Sequence, residues 1–95
     1  MTWTVKERSH LNKRIRKLPE RVQNLLIALK KDMEANGPIR GDWPNFSALS
    51  DNRYHCHLKK GHPTYVAIWE VMDREIRLIE VIYAGTHEKA PYGDR

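Results

Sequence analysis

The spacing of apolar positions changes twice along the chain. In Thr2–Lys6, Trp3 and Val5 alternate with polar neighbours, which predicts a short first strand. Leu11, Ile15 and Leu18 then fall at i, i+4 and i+7, one apolar stripe of a helix, with Ser9 as its expected N-cap. Pro19 suits the first turn of a second helix, whose stripe is Val22, Leu25, Leu26, Leu29 and Met33. Asn36-Gly37-Pro38 stops it, through a left-handed cap and a missing donor. Two helices joined this tightly predict an antiparallel hairpin. From Ile39 to Asn52, Gly41, Pro44, Ser47, Ser50 and Asp51 break every period, so a loop is expected, with Trp43, Phe46 and Leu49 as anchors on the core.

At Arg53 the period becomes two. Tyr54, Cys56 and Leu58 point one way, and Arg53, His55, His57 and Lys59 the other. Lys60-Gly61-His62-Pro63 reads as a turn, Tyr65–Met72 as a mostly apolar central strand, Asp73-Arg74 as a tight turn and Glu75–Ala84 as the next strand. Gly85 is expected to end that strand before the polar tail THEKAPYGDR. The order β-α-α-β-β-β predicts an α+β fold, with a helical hairpin on one face of a small, mainly antiparallel, twisted sheet. At 95 residues the expectation is one domain, 1–95.

Composition narrows the function classes. A hydrophobic content of 40% with 31% charged residues marks a globular chain. One cysteine excludes an internal disulfide framework. MTWTVKERSH has no apolar core of a signal peptide, and no apolar run approaches the roughly 20 residues that span a bilayer, so a cytoplasmic protein without a membrane partner is expected. The net charge of +5 is concentrated early: residues 1–31 carry nine Lys and Arg against Glu7 and Glu20. Lys13, Arg14, Arg16 and Lys17 lie off the first helix's apolar stripe. Such a field favours a polyanion or an acidic protein.

The segment RYHCHLKKGHP, residues 53–63, holds His55, His57 and His62 and the single cysteine. Alternation sends Cys56 to the core, so it reads as a small core residue rather than a ligand or nucleophile. His-x-His offers two ligands on one face, with only His62 and the distant His87 to complete a set, and Lys59 and Lys60 would repel a cation. Neither a metal nor another cofactor is therefore expected. A solvated strand and a phosphodiester-cleaving site remain open. Histidine can take or give a proton near neutrality, and lysine can neutralise a phosphate in the transition state. His10, at the start of the basic helix, reads as a surface or cap residue.

The element order, the basic helices and the block YHCHLKKGHPTYVAIWEVMDREIRLIEVIYAGTHE resemble the RelE/ParE superfamily of toxins from bacterial toxin–antitoxin pairs. The likeness runs from Trp3 to about Tyr92. It is carried by the strand beginning at Tyr54 with polar residues at 55 and 57, by the hairpin YVAIWEVMDREIRLIEVIYAG, and by His87 two places after Gly85. The RNA-cleaving branch cuts mRNA, commonly in the ribosomal decoding site. The resemblance thus implies a metal-independent endoribonuclease with mRNA, the ribosome and an antitoxin as partners. Its catalytic candidates are His55, His57 and His87. Lys59, Lys60, His62, Tyr92 and the basic residues Lys13, Arg14, Arg16 and Lys17 are its RNA contacts. Many members place an arginine near the start of the middle strand; here stands Thr64-Tyr65-Val66-Ala67, leaving His62, Lys59 or Lys60 to supply that charge, or none. The alternatives are a ParE-like toxin acting on DNA gyrase and a nucleic-acid-binding module without catalysis.

Overall fold

A computed structural model describes residues 2–91. The elements are β1 (Thr4–Glu7), α1 (Leu11–Arg16), α2 (Glu20–Asn36), β2 (Ser47–Ala48), β3 (Arg53–Lys59), β4 (Tyr65–Asp73), β5 (Leu78–Thr86) and a short 3-10 turn, His87–Lys89. The strands form one sheet in the order β1-β5-β4-β3-β2. Only β1 with β5 is parallel; the other pairs are antiparallel. The α+β architecture and the central place of β4 match the sequence reading.

Several boundaries differ, each for a local reason. The two-residue strand β2 inside the expected loop is too short to show a period. The turn after β4 is longer than Asp73-Arg74. The Asp73 carboxylate accepts the backbone N–H groups of Glu75 and Ile76, at 2.9 and 3.2 Å, and Arg77 takes a left-handed φ of 57° before β5 begins at Leu78. His10, not Ser9, caps α1, with a left-handed φ of 71° and no side-chain cap bond. Pro19 is the cap of α2 rather than part of its first turn. Gly37 ends α2 at φ 92°, its N–H bonded to the Met33 carbonyl at 2.8 Å; a Cβ there would stand 3.2 Å from the Trp3 indole nitrogen.

Both helices cover one sheet face. Leu11 and Ile15 of α1 and Val22, Leu26, Leu29 and Met33 of α2 meet Tyr54, Cys56, Leu58, Ala67, Trp69, Val71, Ile79 and Val81. The expected stripes are the buried ones, although α1 is short and packs against β5 while α2 packs against β3 and β1. Cys56 is fully buried, and burial pushes its thiol up to about 12.

The segment between α2 and β3 is pinned from both ends. Trp43 donates its indole N–H to Asp32 at 2.9 Å, and Arg40 bonds the same carboxylate oxygen at 3.0 Å. Phe46 stacks on Tyr54 and Trp69, with ring centroids 5.7 and 6.1 Å apart. These anchors lay residues 44–48 along the free edge of β3. There the Pro44 carbonyl accepts the His57 backbone N–H at 2.8 Å, and Ser47 pairs with His55.

Candidate active site

The sheet face away from the helices is only partly apolar. Val66, Ile68 and Tyr83 form its small cluster, with Leu49, Ile82 and Ala90 against it. Tyr83 joins this face because the β4–β5 register slips: Ile68 opposes Tyr83 and Trp69 opposes Val81, so Ile82 is the extra residue of a bulge. Further along, the face is ionic. Arg8 donates to Glu80 at 3.1 Å, and Arg53 to Glu70 at 3.2 Å. On the β3 side stand His55 and His57, sharing a face as alternation requires.

Where β5 runs into the tail, a cleft of about 510 Å³ opens, lined by His57, Gly61, His62, Pro63, Thr64, His87 and Glu88. Three imidazoles, those of His57, His62 and His87, line it. The His57 and His87 rings meet edge to face with centroids 5.6 Å apart, and His55 lies 6.0 Å from His57 on the other side. His87 is held from the backbone: its N–H donates to the Thr64 carbonyl at 2.8 Å. The Tyr83 hydroxyl donates to the carbonyl of Thr86, the preceding residue, at 2.7 Å.

Gly85 does not turn the chain as expected. It lies inside β5, which continues to Thr86. Its lack of a side chain serves Tyr83, because a Cβ would fall 2.7 Å from that hydroxyl.

The histidines differ in setting. The Nδ1 atom of His55 shares a 3.0 Å hydrogen bond with the Ser47 hydroxyl, and His55 does not line the cleft. Burial lowers its pKa below the ordinary 6.5; a hydrogen bond to the Ser47 backbone opposes this and the His87 charge adds to it. His57 is lowered too, first by burial and then by the charges of His55, His87 and Lys60. Its Nδ1 is buried with no hydrogen-bond partner, so nothing there compensates a charged ring for its lost water. Nε2 is the nitrogen left to face a substrate.

The cationic candidates separate. His62 lines the cleft. Lys59 and Lys60 line an adjoining hollow of about 270 Å³ with Pro44, His57 and Leu58. Lys59 also leaves the His55–His57 alternation, because the register slips after His57 and Lys59 pairs with Tyr65. Lys13, Arg14, Arg16 and Lys17 are exposed on α1, outside the cleft. Of these, Arg14 borders a second well of about 340 Å³, where Lys89, His10, Ile82, Tyr83 and Pro91 also contribute. Tyr92 lies outside the described residues. Sequence reasoning missed Ser47, Thr64, Tyr83 and Glu88. Ser47 and Thr64 act through pairings that no spacing announces; Tyr83 could have been suspected only from Gly85 two places on.

Neither a protein-family model nor a curated protein matches the chain. Two solved structures share its fold. Archaeal RelE, from its complex with RelB of Pyrococcus horikoshii OT3, superposes with a TM-score of 0.71 over 95% of this chain and all (100%) of that one, at 17% identity. A double mutant of the E. coli toxin RelE in the free state gives 0.72 over 97% of this chain and 90% of that one, at 20% identity. At these identities the likeness is one of fold.

Proposed function

We propose that this RelE-like fold is the toxin of a toxin–antitoxin pair, a metal-independent endoribonuclease that cuts mRNA on the ribosome. The observation that carries the reading is the edge-to-face meeting of His57 and His87 over an open cleft on the sheet face away from the helices. The fold shared with a protein named as a toxin supports it, and the RelB complex of the archaeal neighbour supports an antitoxin as partner.

In the proposed reaction, neutral His57 takes the proton of a ribose 2′-hydroxyl at Nε2. The 2′-oxygen bonds to phosphorus, and the bond from phosphorus to the 5′-oxygen breaks. His87 gives a proton to that oxygen, leaving a 2′,3′-cyclic phosphate and a 5′-hydroxyl. His57 suits the base role because its lowered pKa keeps the ring unprotonated at neutral pH. Lys60, beside His57, supplies positive charge for the phosphate in place of the absent arginine, and His62 lines the same cleft. His55, bonded to Ser47 and set back from the cleft, acts through its charge, which helps to lower the His57 pKa.

The test is RNA cleavage on translating ribosomes, run beside a gyrase supercoiling assay. Cleavage with unchanged supercoiling is expected. Inhibited supercoiling without cleavage would establish the gyrase-directed alternative instead.

A further inference from the structure

The turn His87–Lys89 divides two hollows. His87 and Glu88 face the histidine cleft; Lys89 faces the second well, about 340 Å³ in volume. Tyr83 lies at the junction, lining the second well while its hydroxyl holds the carbonyl just before His87.

The well has a definite chemistry. Arg14, Lys89 and His10 bring positive or titratable charge, Ile82, Tyr83 and Pro91 bring apolar surface, and among the described residues none that is acidic lines it. Arg8 also borders it, but its guanidinium is taken by Glu80. No ion pair among the described residues occupies Arg14 or Lys89. Arg14 stands close enough to Tyr83 for its charge to act on the phenol. Two unspent cations beside the apolar surface of Ile82 and Pro91 fit a nucleotide better than an acidic side chain, since that surface has something to receive. A strand of RNA crossing the dividing turn would present phosphates to both hollows.

We propose that this well is a second phosphate subsite, in which Arg14 and Lys89 hold an RNA phosphate neighbouring the scissile one while Ile82 and Pro91 receive the attached ribose or base. The proposal rests on the ribonuclease reading of the cleft. It explains why the first helix carries its charge next to the tail.

The experiment uses the full chain and three probes: a fluorescein-labelled, 2′-O-methyl RNA 12-mer of mixed sequence, which cannot be cut, a 2′-O-methyl dinucleoside monophosphate carrying one phosphate, and a glutamate-rich peptide. Binding is followed against salt for the wild type and for an Arg14→Gln/Lys89→Gln variant. The variant should bind the 12-mer about tenfold more weakly and lose roughly 1.4 from the slope of log affinity against log salt, the share of two single-strand phosphate contacts. It should bind the dinucleotide as the wild type does. An unchanged 12-mer slope overturns the subsite. So does equal weakening of both RNA probes, which marks a general field, and so does loss of the glutamate-rich peptide with RNA binding intact, which marks an acidic protein site. If the wild type cuts no RNA on ribosomes but the 12-mer result holds, the subsite is supported and the catalytic reading falls.

Discussion

His57 and His87 touch, yet one is half sunk in the sheet and the other is exposed on the tail. That difference divides their labour and can be read from pH. With the His57 pKa held below 6.5, the acid limb of cleavage, kcat/KM against pH, should fall off below 6.5. Lys60→Gln removes one of the charges that lower it, so the limb should move up toward 6.5, and a profile that stays put would detach Lys60 from the site. In single-turnover assays, His57→Ala and His87→Ala should each cost about 10²–10⁴-fold if they transfer protons. His55→Ala should cost less, because its ring is engaged with Ser47 and does not line the cleft. A folded His87→Ala enzyme cutting at the wild-type rate would remove that residue from the chemistry.

At the scale of elements, the end of β5 is built around one close approach. Gly85→Ala would drive a methyl against the Tyr83 hydroxyl and ring, at 2.7 and 3.0 Å, and pull the phenol from the Thr86 carbonyl. Overpacking of this kind costs about 1–3 kcal/mol. The urea midpoint should drop accordingly, and cleavage should fall as well, because the Thr86 carbonyl that the phenol holds immediately precedes His87. Adding Tyr83→Phe removes the colliding oxygen, so the two losses should be less than additive.

The elements that sequence made legible are those with a period: α2, β3 and β4, and the sorting of Cys56 from His55 and His57. What it could not carry depends on partners. Ser47–Ala48 becomes a strand only because Trp43 and Phe46 anchor it beside β3. The slip that turns Lys59 aside, and the bulge that turns Tyr83 outward, are set by pairing with β4. The structure sets the rings of His55, His57 and His87 near one another, and the Ser47 bond and the cleft lining that separate His55 from the other two have no period in the sequence.

For the whole molecule, the two lowered histidines make stability depend on pH. Above 6.5 both are neutral folded and unfolded, so they contribute no slope. As pH falls through 6.5 the unfolded chain takes up protons first, and the fold loses stability until the lower folded pKa values are passed. Urea midpoints should therefore fall from pH 7.5 toward 5, and His55→Gln/His57→Gln should flatten that slope. Asp32, held below 3.8 chiefly by its bond from Trp43, adds its loss only in stronger acid. Activity should survive EDTA at concentrations that leave ribosomes intact; rescue of stripped protein only by added Zn²⁺ would refute the proton-transfer scheme.

The strand order has a consequence for how the chain comes into being. β5 is the last of the described strands to be synthesised, and it lies between β1, the first, and β4. Until it emerges, β1 has no neighbour in the sheet, β4 has one bare edge, and His87 has not been made. Domains form as units once their segments are available, and pairings between distant segments come late. A chain still being translated thus lacks the sheet that positions His57 against His87, so the proposed cleavage could not begin before β5 has emerged.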